Sequence, residues 1–254
     1  MNDAKREILA RVASGELTAQ EAALELEELE VTARPQPAAT AVLGDIRRVR
    51  VVANLGGVTV VGDESVREAV AEGPHVATRE GDTYVIEADE DSMVPGFAFG
   101  SRFRFGFELQ ERKLLVRMNP RLLLDAEVQA GTLTVRGLRA AIKAEVQAGS
   151  TRIEDFTGTI DLDVQAGSVK AFGKLTEGAS RISCQAGSVK IELDPGSSVK
   201  ISAKTSLGRV TLPGAGAMTG VGGGGSQAVL GAGVATLDIE AELGSVQVSV
   251  GGGR

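Results

Sequence analysis

The chain holds one cysteine, Cys184, and one histidine, His75, which closes most routes to metal or nucleophile chemistry. One histidine with one cysteine cannot build a usual zinc site. No nucleophile-elbow motif surrounds a serine. The run Gly222-Gly223-Gly224-Gly225-Ser226 lacks the Lys-Ser/Thr of a phosphate loop and reads as a flexible excursion. No calcium-binding Gly-Gly-x-Gly-x-Asp repeat occurs. What remains is charge at regular spacing. Glu127, Glu145 and Asp163 lie 18 residues apart, and Arg152, Lys170 and Lys190 recur at the matching place further along each repeat. An acidic ladder can bind cations or support acid/base work in a groove. Here the favoured reading is a solvated face, partly neutralised by the basic column. No catalytic, cofactor-binding or metal-binding residue is expected, and the chain is expected not to be an enzyme.

The other concentration of unusual side chains is Met93–Phe107, which carries Phe97, Phe99, Phe103, Phe105 and Phe107 out of only seven phenylalanines. Phe103, Phe105 and Phe107 fall on one strand face, with Arg102 and Arg104 on the other. Over 93–121, Arg102, Arg104, Arg112, Lys113, Arg117 and Arg121 oppose only Glu108 and Glu111, in a chain of net charge -7. Two roles fit. The segment is a contact element for a membrane surface, a partner or another copy. Alternatively, it caps an open end of the fold.

A repeat must position these groups. Val128-Gln129-Ala130-Gly131-Thr132, Val146-Gln147-Ala148-Gly149-Ser150, Val164-Gln165-Ala166-Gly167-Ser168 and Cys184-Gln185-Ala186-Gly187-Ser188 are near-identical. Ser206-Leu207-Gly208-Arg209 and Glu242-Leu243-Gly244-Ser245 are weaker copies, and Asn54-Leu55-Gly56-Gly57 is an early one. From Gly131 the glycines are 18, 18, 20, 21 and 36 residues apart, a repeat-architecture signature. Alternation sends Leu124, Ala126 and Val128 inward before the turn, and Leu133 and Val135 inward after it. The later copies keep this phase, with Thr151 and Ser180 as polar exceptions. Cys184 falls in the Val128/Val146/Val164 column and reads as a small buried hydrophobe. The glutamines form a column whose amides can bond along a stack. Asp125, Lys143, Asp161 and Arg181 alternate in sign, which favours parallel stacking in register. The expected fold is mainly β: a single-stranded β-solenoid of roughly 18–21 residues per rung, preceded by a small α-helical hairpin.

That hairpin is read from residues 1–31. Ile8, Leu9 and Val12 share a helical face, Gly15 ends the first helix, and Thr18 with Glu21 makes a capping box. Ala22, Leu24, Leu26 and Leu29 give the second helix its apolar side. Two helices this short need a partner surface. Residues 32–44, rich in Pro and Ala, read as a linker. Residues 45–254 are the solenoid, with insertions at 93–107 and 214–233. No stretch reaches the roughly 20 apolar residues of a membrane helix, and the charged N-terminus is unlike a signal peptide. A cytoplasmic location is expected, peripheral to a membrane if the Phe/Arg segment binds one. The acidic balance argues against nucleic acid as partner.

The hairpin residues Ile8-Leu9 and Gly15 through Leu29 resemble SHOCT-like helical hairpins, which implies oligomerisation or protein contacts. The Val-Gln-Ala-Gly-Ser strings, Thr205–Pro213 and the closing 235–246 resemble a bacterial putative-adhesin family of β-strand-repeat domains, over most of 46–250. That resemblance implies a role in cell-envelope stress or at the surface. The leading expectation is a non-enzymatic scaffold that self-associates or docks a partner through the hairpin. Its rivals are an envelope sensor binding membrane or glycan through the Phe/Arg segment, and a carbohydrate-active enzyme on a solenoid.

Overall fold

The computed structural model describes residues 46–88, 113–214 and 218–251, with 218–224 described by backbone only. The expected hairpin and its residues Ile8, Leu9, Val12, Leu24, Leu26 and Leu29 lie outside these residues, as do Phe97, Phe99 and Arg102 to Phe107. No helix occurs among the described residues.

The described chain is mainly β, a mixed twelve-stranded sheet. Its strands are β1 (Arg48–Gly62), β2 (Ala69–Glu72), β3 (His75–Glu80), β4 (Thr83–Ala88), β5 (Lys113–Met118) and β6 (Leu123–Arg136). They continue as β7 (Ile142–Phe156), β8 (Ile160–Gly173), β9 (Ala179–Leu193), β10 (Val199–Thr211), β11 (Met218–Leu230) and β12 (Ala235–Val250). The long strands β1, β6, β7, β8, β9, β12 and β10 stack in parallel, in that spatial order. Like residues meet like: Val128 pairs with Val146, Val146 with Val164, and Val164 with Cys184. The early copy joins the stack, because Gly56 pairs with Gly131.

Each long strand turns a corner at its Gln-Ala-Gly. In β6, Leu124, Ala126, Val128, Leu133 and Val135 are all buried. The step from Val128 to Leu133 is odd, so a flat strand would send the two sets to opposite faces. The corner rotates the second half-strand so that both sets enter one core. Cross-strand pairing lapses at Gln129 and Gln147 in every such rung and resumes at the alanine. The corner glycines have φ of +139 to +154 from Gly149 to Gly208. A Cβ on Gly167 would stand 1.8 Å from the carbonyl oxygen of Gly149, and one on Gly149 equally close to that of Gly131. Close backbone approach, repeated rung upon rung, therefore explains the glycine column.

The links after β6 and β8 and the last residue of β7 add to the core. Leu138, Phe156 and Leu175 are fully buried there. At the end of β7 the register with β8 shifts between Glu154 and Phe156, and Asp155 takes φ 55. This bulge re-aims the chain so that Phe156 points inward. Of the polar exceptions, Ser180 is satisfied, its Oγ accepting from the Ile160 N–H at 3.2 Å. Buried Thr151 has no partner for its hydroxyl.

Antiparallel strands finish both ends of the parallel stack. At one end β1 carries β4 on its first half and β5 on its second, and β3 and β2 pair antiparallel to those. The β3–β4 hairpin turns at Gly81-Asp82, with Gly81 at φ 61; a Gly-Asp pair between two short β-rich runs is itself a hairpin signal. At the other end β11 runs antiparallel along β10. This corrects the flexible-excursion reading of Gly222–Ser226: the glycines lie within a strand. The physical reason is the open edge of β10, whose backbone donors and acceptors need partners. The last strands do not stack in chain order, because β12 lies between β9 and β10.

Candidate interaction surface

Outward side chains of the parallel rungs form columns, one residue per strand at about 4.8 Å spacing. Before the corner, Arg50, Asp125, Lys143, Asp161, Arg181 and Asp238 are in register and alternate in sign. The alternation expected for four of these residues thus extends through β1 and β12. Two positions along each strand, Glu127, Glu145 and Asp163 form the acidic column, followed by Ser183 and Glu240. Cations of the first column reach acids of the second: Arg50 to Glu127, Lys143 to Glu145 and Arg181 to Glu240, each at 3.1 Å. The hydrogen bond from Lys143 to Glu145 and the surrounding carboxylates push the Lys143 pKa up. Asp163 has no such cation among the described residues.

After the corner, Thr132, Ser150, Ser168, Ser188 and Ser245 form a hydroxyl column. Beside it Thr134, Arg152, Lys170, Lys190 and Gln247 form the next. Arg152 and Arg136 both donate to Glu154, Arg136 at 2.7 Å. Those hydrogen bonds, from Arg152 first, outweigh burial and hold the Glu154 carboxyl below its ordinary 4.5. Lys170 and Lys190 are exposed and make no ion pair among the described residues. At the corner itself Leu55, Ala130, Ala148, Ala166, Ala186, Leu243 and Leu207 form an outward apolar ridge.

The glutamine column is present in register, but its amides make no hydrogen bonds to one another. They sit where backbone pairing lapses and are exposed to water. The cross-rung bond found at the corner is instead between the hydroxyls of Thr132 and Ser150, 3.3 Å apart. Cys184 is 1 % exposed, and burial pushes its thiol pKa up. His75 opens the edge strand β3 and donates from Nδ1 to the Gly73 carbonyl at 2.7 Å. Among the described residues no group of three His, Cys, Asp or Glu could hold a metal ion. No described helix is long and apolar enough to cross a membrane.

The sequence reading missed Leu138, Phe156 and Leu175. Their signal was a lone large apolar residue in each link.

No protein-family model matches the chain, and no curated protein matches it. Four solved chains resemble it, two of which are as follows. One is a putative cell adhesion protein from Clostridium sporogenes, 13 % identical with a TM-score of 0.42, the match covering 82 % of this chain and 94 % of that one. The other is a putative adhesin from Bacteroides fragilis, 8 % identical with a TM-score of 0.29, covering 82 % and 93 %.

Proposed function

We propose that this chain is a non-enzymatic structural and interaction protein, a β-solenoid scaffold that self-associates. The observation carrying this reading is the set of outward columns, in register from rung to rung over a continuous apolar core. Such a surface offers repeated, identical contacts.

Reach supports winding as a solenoid. The 14 residues of β6 would span roughly 46 Å if straight, at about 3.3 Å per residue. The link Gly137–Ala141 must return the chain to the start of β7, yet reaches at most about 20 Å. The strand must therefore double back at its glycine corner.

Catalysis wants convergent groups with shifted acidity in a cleft. The charged groups here are spread evenly along exposed columns. Assembly through the 1–31 hairpin belongs to the same reading. Light scattering of the full chain over a concentration series tests it. Mass rising above the monomer is expected, and a monomer at every concentration overturns the scaffold reading. Turnover of any polysaccharide would overturn its non-enzymatic part.

A further inference from the structure

The acidic and basic columns have the same pitch and lie on different half-strands. Glu127, Glu145 and Asp163 occupy three successive rungs before the corner. Arg152, Lys170 and Lys190 occupy three successive rungs after it. Both arrangements cost stability, because like charges directly opposite on neighbouring strands repel. For Asp163, Lys170 and Lys190 nothing among the described residues offsets that cost.

We propose that the basic column of one molecule docks on the acidic column of a second copy. The proposal rests on the scaffold reading and names its contact surface. Equal pitch lets Lys170 and Lys190 meet Asp163 and Glu145 on two rungs at once, while Glu127, Glu145 and Arg152 keep Arg50, Lys143 and Glu154 as partners within the chain. A second copy also relieves both columns, whereas a polyanion would relieve only the basic one. The two patches differ, so the contact is heterologous. Each docked molecule keeps one unused column and can add another neighbour. Exposed ion pairs are individually weak and screened by salt, so assembly depends on ionic strength.

The test uses the full chain in light scattering at about 20 mM and about 500 mM salt, which bracket weak and strong screening. The salt-sensitive part of the mass is expected at the lower concentration and lost at the higher. The variants K170E/K190E and E145K/D163K each keep one intact column and should each lose that salt-sensitive part. Mixed in equal amounts they should recover the salt-sensitive mass, because the intact columns and the reversed columns are each complementary between the two variants. Far-UV circular dichroism checks their folding, with E145Q/D163N replacing E145K/D163K if the latter fails to fold. A mass insensitive to salt, or retained by both variants, overturns this contact. If the full chain still exceeds the monomer, the scaffold reading survives with another interface. A chain that binds heparin through Lys170 and Lys190 yet shows no salt-sensitive mass assigns the basic column to a polyanion and also overturns the proposal.

Discussion

At the scale of single residues, burial decides what each polar group does. Cys184 lies between Val164 and Ala241 in an inward column, with its thiol pKa raised. A thiolate is the reacting species, and neither exposure nor charge favours it here. A thiol reagent at neutral pH should therefore label Cys184 only as fast as the fold opens, with full reaction in denaturant. Rapid labelling of the native chain would refute that burial. Thr151 sits opposite Leu133 and Val169 with an unpartnered hydroxyl. Thr151→Val keeps the shape and removes the unsatisfied group, so chemical denaturation should show a gain of about 1 kcal/mol. Glu154 carries the pH dependence. Its folded pKa is depressed, so its contribution is present above the ordinary 4.5 and lost as pH falls through the lowered folded value. The contribution is about 0.5–1 kcal/mol for this partly exposed network. Glu154→Gln should flatten the stability profile across that acid window, as read from urea midpoints at successive pH values.

At the scale of the element, the glycine corner shapes the long parallel strands and a bulge ends β7. Gly167 combines φ +150 with a Cβ position that would meet backbone rather than a side chain that could move. Gly167→Ala should cost about 3 kcal/mol or more, well beyond the glycine-to-alanine change at an ordinary strand site. Thermal denaturation measures this, and a midpoint unchanged from the parent would refute the corner geometry. Asp155, in the left-handed region at the bulge, gives the complementary test. Asp155→Gly should be tolerated, whereas Asp155→Val should destabilise, because a β-branched residue resists positive φ. The rungs were legible because their phase holds on both sides of each glycine, so one slipped residue would expose a half-strand. The links were not legible, because Leu138 or Phe156 alone gives no period to read.

At the scale of the whole molecule, the last strands interlock. β12 is last in the described chain, yet it is paired on both edges, to β9 and to β10. Truncation after Val234 should therefore do more than remove a terminal strand. It leaves β10 and β11 without a neighbour in the stack, and the thermal transition should broaden and fall steeply. An unchanged transition would mean that β10 can dock directly on β9. Nothing in the repeat forbids that pairing by pattern, because the copies are alike.

The sequence by itself determined the period, the inward columns, the buried cysteine and the β3–β4 hairpin. All of these follow from alternation and turn chemistry within a few residues. It also carried the sign alternation from Asp125 to Arg181, because stacked copies of one length must align. Only the tertiary structure decided the order of the final rungs and the use of the glycine-rich run as an end strand. Near-identical copies fit next to one another in any order. The choice is therefore made by open edges that need partners, not by a property of any one strand.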